Sequence, residues 1–165
     1  MTATDATRQR MLEKLAWMRR STERIRANLS NPADVQDHFL SFTHASHLLY
    51  FYFAGWAKGA GKASNAKALI ELYLASIEPK AAEVWRCLQE LRTEDVHINP
   101  VSIINTEQPG ALMLDGHELL LDGYQLMAGE YRYVVQCAGT TFDVLDVCET
   151  GLEVKRRFCD EFDSI

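Results

Sequence analysis

The run Leu48-Leu49-Tyr50-Phe51-Tyr52-Phe53 decides the fold, because it places six apolar or aromatic residues in succession within a helical pattern. A helix that is apolar on nearly every side is buried among other helices. We therefore predict that this run belongs to the central helix of a bundle, over residues 32–56. Asn31 is its predicted N-cap, and Pro32 takes the first helical position.

Three more helices are predicted around the central one, each from apolar residues that recur at helical spacing. They cover residues 5–28, 66–77 and 79–97. Ser64 or Asn65 is the expected cap of the third helix. The fourth ends near His97, because Pro100 disfavours helical backbone at Asn99.

The pattern changes after Pro100 to short apolar runs separated by turn dipeptides. Asp115-Gly116 and Asp122-Gly123 are typical of hairpin turns, and apolar residues flank both. A strand is expected over residues 131–137 and a last helix over residues 142–162. The predicted fold class is mainly α, in a single domain over residues 1–165. It comprises a four-helix bundle (5–100), a small antiparallel β-hairpin or meander insertion (101–138) and a closing C-terminal helix (141–162).

The composition is that of an ordinary globular protein, with 47% apolar and 24% charged residues in a chain of 165. A chain of this length can form a core that is stable without disulfides or metal. Residues 1–8 lack the apolar segment of a secretory signal. The longest apolar stretch, residues 48–57, is too short to span a bilayer. We expect no membrane association and a cytoplasmic location.

The four cysteines, Cys87, Cys137, Cys148 and Cys159, are widely spaced, and no two form a CxxC pair. This spacing excludes a zinc ribbon and a thioredoxin-type motif. Because disulfides are rare in cytoplasmic proteins, we expect these thiols to be reduced and mostly buried.

Charge is distributed unevenly along the chain, whose net charge is −6. Residues 1–30 carry seven basic and three acidic side chains, whereas the remainder carries ten basic and twenty acidic ones. The basic first helix has two interpretations. It is either a docking surface for nucleic acid or an acidic partner, or a solvated face that pairs with the acidic half of the same protein. We favour pairing within the protein, because a basic run alone is a weak signal.

Arg92 and His97 are the candidate catalytic residues, five positions apart at the end of the fourth helix. Arginine binds phosphate through paired N–H donors, and histidine transfers protons near neutral pH. Residues five apart on a straight helix lie about 140° apart around its axis. The pair can converge only if the helix frays before His97 or a second subunit brings a matching pair. The structural alternative is an arginine in a salt bridge and a histidine that caps the helix.

The helical plan and the sequence Leu91-Arg92-Thr93-Glu94-Asp95-Val96-His97 together resemble the HEPN superfamily over about residues 5–100. Members of that superfamily are all-α domains, many of them metal-independent ribonucleases of toxin–antitoxin, phage-defence and RNA-processing systems. Their signature is an arginine, a polar residue and then a histidine about four to six positions after the arginine. Arg92 and His97 match it, and Thr93 takes the position where asparagine, aspartate or histidine is more usual.

The resemblance implies cleavage of RNA by attack of a 2′-hydroxyl on the adjacent phosphate, without a cofactor. His97 would act as general acid or base, and Arg92 would stabilise charge on the phosphoryl oxygens. Family members usually build this site at a homodimer interface, so the implied partners are a second copy and RNA. A different expectation is a non-catalytic helical scaffold that binds a protein partner, either antitoxin-like or basic.

Histidines on the central helix form a second constellation. Asp37, His44 and His47 are expected on adjoining parts of one helix face, with His38 nearby. Two histidines and a carboxylate could bind a divalent metal, which makes a metal-binding bundle the third hypothesis. Histidines bonded to backbone or polar neighbours are the more common arrangement, so we expect no metal. His44, His47 and Thr93 could instead support the site of Arg92 and His97.

Two further charged segments have simple interpretations. Lys58 to Ser64 superficially resembles a phosphate-binding loop, but Gly55 is one place too early, and Ala63 stands where a hydroxyl would be needed. We interpret that segment as a helix–helix connection. The cluster Lys155-Arg156-Arg157 is expected to form salt bridges on the last helix.

Overall fold

The computed structural model describes residues 2–61, 66–97, 103–107, 109–111, 113–114, 117–118, 120–121, 124–125 and 127–164. The side chains of residues 92–97, 111, 113–114, 118, 120–121, 124–125 and 127–128 lie outside the described part. The chain is mainly helical with a small β insertion, which confirms the predicted fold class. The helices are α1 (Ala3–Ala27), α2 (Pro32–Gly59), α3 (Ala66–Ser76), α4 (Pro79–His97) and α5 (Val144–Glu161). None of the helices described is both long and apolar enough to cross a bilayer.

Local hydrogen bonds at three caps explain where helices begin. Thr2 and Asp5 form a capping box, in which each side chain accepts from the other's backbone N–H. Asn31 accepts at the start of α2 ahead of Pro32, as predicted, and Asp143 accepts at the start of α5. The predicted caps of α3, Ser64 and Asn65, lie outside the described residues.

The closing helix is an integral part of the bundle. α5 packs against α1, α2 and α4. Ion pairs from Arg8 to Asp163 and from Arg26 to Glu149 align α1 antiparallel to α5. α3 contributes only 11 residues beside α2 and α4. The core is therefore completed only after the chain has passed through the β insertion.

Aromatic side chains fill the centre of this core. The Phe158 ring of α5 lies 4.9 Å from Phe53 of α2 and 5.1 Å from both Tyr73 and Trp85, measured between ring centres. These edge-to-face contacts are the arrangement that aromatic quadrupoles favour. Gly151 permits the close approach of α5 to its neighbours, because a Cβ there would lie 2.8 Å from Leu88 Cδ1.

The apolar run of α2 is only partly buried, contrary to the prediction. Leu49 and Phe53 are buried, whereas Phe51 is 65% exposed. Tyr52 is half-buried. Only one face of α2 packs into the core, so the other aromatic residues of the run lie on the outer face of the helix.

Lys155 is buried, so its predicted salt bridge is wrong, while Arg156 and Arg157 both pair with Glu153 as predicted. Lys155 Nζ lies 3.2 Å from the centre of the Trp85 ring. The helical spacing indicates that Lys155 is buried, since position 155 lies four residues after Gly151 and three before Phe158, both on the buried stripe.

Among the residues that the structure describes, the β insertion forms one three-stranded sheet and three two-stranded pairings. The described strands in chain order are β1 (Ile104–Glu107), β2 (Gly110–Ala111), β3 (Met113–Leu114), β4 (His117–Glu118), β5 (Leu120–Leu121), β6 (Tyr124–Gln125), β7 (Met127–Ala128), β8 (Arg132–Cys137) and β9 (Thr140–Asp143). The antiparallel sheet has the order β1-β8-β9, and the pairs are β2-β7, β3-β4 and β5-β6. The predicted hairpin dipeptides lie between β3 and β4 and between β5 and β6, but outside the described residues.

Strand β9 (Thr140–Asp143) follows the predicted strand and takes the place of the first residues of the predicted last helix, which begins at Val144 instead. Cys137 pairs with Thr140, and the two residues between them, Ala138 and Gly139, have positive φ values of 47° and 80°. Positive φ at both central positions is the backbone of a tight hairpin turn. Alanine is rare in that conformation, which hid the turn from the sequence pattern.

Cys87 of α4 and Cys137 of β8 form a disulfide, so the prediction of reduced thiols is wrong for this pair. Their Cα atoms are 5.3 Å apart, although 50 positions separate them in sequence. No local spacing signals such a pairing. Cys148 and Cys159 are free and buried, as predicted, and burial raises the pKa of Cys159 to about 12.

Candidate functional site

The two candidate catalytic residues lie on one uninterrupted helix. α4 extends through His97, so the helix does not end between Arg92 and His97. Arg92 and His97 are therefore about 7.5 Å apart along the axis and about 140° apart around it. The side chains of both residues, and that of Thr93, lie outside the described part. A second subunit is the route to convergence that the helix leaves open.

The end of α4 is anchored on two sides. Leu88 and Leu91 are buried in the bundle just before Arg92. On the side of the sheet, the Glu90 carboxylate accepts a hydrogen bond of 2.9 Å from the Ala138 N–H. The Cys87–Cys137 disulfide adds a covalent link one turn earlier. The helix segment that leads to Arg92 is thus held by both the core and the β8–β9 turn.

Two hydrogen bonds fix the β insertion against one end of the bundle. Ile103, six residues after His97, donates through its backbone N–H to Gln36 Oε1 near the start of α2, at 3.2 Å. Tyr133 of β8 donates to the Leu29 carbonyl oxygen, just after α1, at 2.6 Å. Ile103 and Tyr133 therefore lie at the end of the bundle where α1 ends and α2 begins.

The rings of the two proposed supporting histidines, His44 and His47, contact aromatic residues of α1 and α2 in the described part of the chain. His44 is exposed and meets Trp17 of α1 edge-on, with ring centres 6.0 Å apart. His47 is half-buried, and its ring centre lies 6.3 Å from that of Tyr50. Their predicted role beside Arg92 stays a prediction.

The alternative metal site receives no support from the described part of the chain. Within it, no group of three or more His, Cys, Asp or Glu side chains is arranged to hold a metal ion. His38 is half-buried and Asp37 is exposed.

Part of the basic first helix pairs with acidic residues, as we favoured from sequence. Two of its arginines reach carboxylates of α5 or the residues just after it, and a third pairs within α1. These pairs are Arg8–Asp163, Arg26–Glu149 and Arg19–Glu23. Two other cations of α1, Arg10 and Lys14, lie over aromatic rings instead. The helix therefore has one face turned to the protein's own acids and one that offers its cations to solvent.

The segment with phosphate-loop character begins inside a helix. α2 extends to Gly59, three residues beyond its predicted end at Trp56. A phosphate loop follows a strand and presents free backbone N–H groups, which helical residues do not offer. Residues 62–64 lie outside the described part.

Sequence reasoning missed the residues that support the end of α4. Glu90, Cys87 and Cys137 act through contacts that join distant parts of the chain, and no spacing rule reveals such contacts. It also missed a recess between α1 and α2, although the excess of aromatic residues in the α2 run was a usable signal.

Comparison with known proteins yields no relative. No protein-family model matches the chain, and neither curated proteins nor solved structures give a similar one. The HEPN resemblance therefore depends on the helical plan and on the positions of Arg92 and His97.

Proposed function

We propose that this chain is a HEPN-type, metal-independent ribonuclease that acts as a homodimer, with Arg92 and His97 as its catalytic residues. The carrying observation is that α4 holds both positions on one continuous helix, at an end that is anchored to the core and the sheet. A site on a rigid element keeps its geometry better than a site on a loop. Two copies of α4 facing one cleft would supply the convergence that a single helix prevents.

The reaction is an internal phosphoryl transfer. The RNA 2′-oxygen attacks the adjacent phosphorus as its proton passes to a general base. The bond from phosphorus to the 5′-oxygen breaks, and that oxygen takes up a proton from a general acid. The products are a 2′,3′-cyclic phosphate and a 5′-hydroxyl. His97 would act as acid or base, and Arg92 would stabilise the negative charge that grows on the phosphoryl oxygens.

The biological setting follows from this chemistry. A nuclease that acts on cellular RNA without a metal would work in the cytoplasm and would suit a toxin or defence role. Such an activity needs control in its host, for which an antitoxin-like protein partner is the expected device.

A cleavage assay in EDTA tests the proposal. Wild type should cut single-stranded or structured RNA and leave cyclic phosphate ends, whereas Arg92→Ala/His97→Ala should reduce the rate by at least about 100-fold. The matched control is Arg86→Ala/His117→Ala, which removes the same two residue types from exposed positions outside the proposed site. Equal cleavage by all three proteins, or none by wild type on either class of RNA, would contradict the proposal.

A non-catalytic helical interaction protein is the second candidate, and exposed apolar side chains favour it. Phe51 and Leu72 are each 65% exposed, so both side chains are accessible to a protein partner. Growth on expression separates the two candidates. A ribonuclease should be toxic, and His97→Ala should relieve the toxicity, whereas a scaffold protein should show neither effect.

A further inference from the structure

One outer face of the bundle, where α1 lies beside α2, combines cations with aromatic rings. The Arg10 guanidinium lies 5.8 Å from the centre of the Tyr52 ring, and Lys14 Nζ lies 5.2 Å from that of Trp17. Trp17 in turn contacts the ring of His44 edge-on. We name these five residues the basic–aromatic stripe.

The cations of the stripe are available to an external anion. Arg10 is exposed and Lys14 is half-exposed, and neither has a carboxylate partner within the described residues. Arg8 and Arg26 of the same helix, by contrast, are held by acidic side chains. A cation that lies over a ring keeps its N–H donors for a ligand, and the ring adds to its attraction for a stacked base.

A recess of about 460 Å³ lies at one end of the stripe, between the start of α1 and the end of α2. Arg10, Phe51, Tyr52 and Trp56 line it, together with Gly55. A Cβ at Gly55 would meet no atom within 4 Å, so this glycine leaves open space between aromatic walls. The volume lies in the range of sites that hold small planar ligands.

We propose that the basic–aromatic stripe binds single-stranded RNA, with one base in the recess against Phe51 and Tyr52 and backbone phosphates at Arg10 and Lys14. The inference rests on the proposed ribonuclease function for the choice of RNA over DNA. Unpaired bases are required, because only a splayed base exposes the face that stacks on a side chain.

Charge and position both favour this ligand. Residues outside 1–30 carry twenty acidic and ten basic side chains, so a polyanion is repelled from most of the protein and attracted to α1. From Arg10 to Trp17 the stripe covers about 10 Å of α1, and it runs from the recess toward the C-terminal end of that helix.

Filling the recess is the first test. The probe is a fluorescein-labelled RNA of about 12 adenosines, 2′-O-methylated so that the proposed chemistry cannot cut it, with affinity read by fluorescence anisotropy. Gly55→Gln should raise Kd about tenfold, because its side chain occupies the space of the base. Ala75→Gln, which adds glutamine at an exposed position of α3 outside the recess, is the matched control and should leave Kd within about twofold. Gly55→Gln should melt at or above the wild-type temperature, since glycine is unfavourable inside a helix.

Removing charge from the stripe is the second test. Arg10→Gln/Lys14→Gln should weaken binding about tenfold at about 0.1 M salt and lower the slope of log Kd against log salt by about 1.4, the value for two phosphate contacts on a single strand. Arg156→Gln/Arg157→Gln makes the same change in net charge on α5 and should alter neither quantity appreciably. Equal losses in both variants would show a bulk charge effect and overturn the stripe.

The outcomes separate this inference from the proposed function. Tight binding that depends on Gly55 and Arg10/Lys14, without cleavage of unmodified RNA, would keep the stripe and reject the nuclease. Cleavage that none of the stripe variants slows would reject the stripe alone. Anionic vesicles of phosphatidylserine and phosphatidylcholine that bind wild type more tightly than the RNA probe would replace RNA by a membrane surface and overturn the inference.

Discussion

Two lysines of this protein lie against tryptophan rings in opposite surroundings. Lys155 is 1% exposed, and its Nζ lies 3.2 Å from the centre of the Trp85 ring inside the bundle. Lys14 is half-exposed, and its Nζ lies 5.2 Å from the centre of the Trp17 ring on the outer face. The same pair of residue types is thus part of the core in one place and part of a proposed ligand surface in the other.

Solvation decides what each pair does. Burial lowers the pKa of Lys155 to about 7. The Lys155 ammonium, when it forms, lies over the face of the Trp85 ring. No carboxylate pairs with Lys155 among the described residues, and Trp85 Nε1 is buried without a hydrogen-bond partner there. Burial of the Lys155–Trp85 pair therefore lowers the stability of the fold. Water solvates the ammonium group of Lys14, which can still bind a phosphate.

Removing each indole should give the largest difference between the two sites. Trp85→Ala should lower the free energy of unfolding by about 4 kcal/mol, because it leaves a cavity beside Phe158 and deprives Lys155 of its ring. Trp17→Ala should cost about 1 kcal/mol, since that ring is already half in water. Urea unfolding followed by circular dichroism measures both. Similar losses at the two sites would contradict the assignment of one pair to the core.

Exchanging each lysine for arginine should give the next largest difference. Lys155→Arg should cost about 3 kcal/mol, because a larger group that cannot give up its charge is forced into the core. Lys14→Arg should change stability by less than about 0.5 kcal/mol and should keep affinity for the RNA probe. A Lys155→Arg protein as stable as wild type would mean that the side chain reaches solvent.

The pH dependence of stability should reveal the buried lysine with a smaller effect. Between the folded pKa of about 7 and the ordinary value of 10.5, Lys155 is neutral in the folded protein and protonated in the unfolded chain. Unfolding then takes up a proton, so stability rises with pH in this window. The free energy of unfolding of Lys155→Met lacks this pH dependence. Its excess over the free energy of unfolding of wild type should therefore fall by about 1.5 kcal/mol from pH 7 to 8.5.

The measurement should stop near pH 8.5 because other buried groups act in the opposite direction above it. Burial raises the pKa of Cys159 and of Tyr73 to about 12 from ordinary values of 9.0 and 10.0, so the unfolded chain releases protons that the folded protein retains. Stability is then lost as pH rises. Lys14→Met is the control and should follow wild type at every pH. If the free energy of unfolding of Lys155→Met changed with pH in parallel with that of wild type, the ammonium group of Lys155 would be solvated in the folded protein.

The comparison also shows which features could be predicted from sequence. Helical spacing and the caps at Asn31 and Pro32 gave the helices to within a few residues, because both are local properties. Lys155 lay in register with the buried stripe of α5, but its charge suggested the surface. The pattern of apolar positions was the better guide there, since packing overrides the preference of a single residue.

Features that depend on distant contacts could not be predicted. The disulfide joins Cys87 to Cys137 across 50 positions, and the Glu90–Ala138 hydrogen bond crosses the same boundary between bundle and sheet. The sequence did place Arg92 and His97 on the end of α4, because helix length follows from local pattern. The end of α4 is held in place by the β8–β9 turn, and this turn forms only within the complete fold.

Mixing two inactive variants tests the proposed dimeric ribonuclease site most directly. Purified Arg92→Ala and His97→Ala proteins should each be inactive on RNA in EDTA. When the two proteins are unfolded together and refolded at equal concentration, half of the dimers contain one protomer of each variant. If each site takes Arg92 from one protomer and His97 from the other, one of the two sites in such a mixed dimer is intact. We expect about a quarter of wild-type cleavage, with cyclic phosphate ends. No cleavage by the mixture, beside a wild type that is active after the same treatment, would contradict a site shared between two α4 helices, and an inactive wild type would contradict the ribonuclease itself.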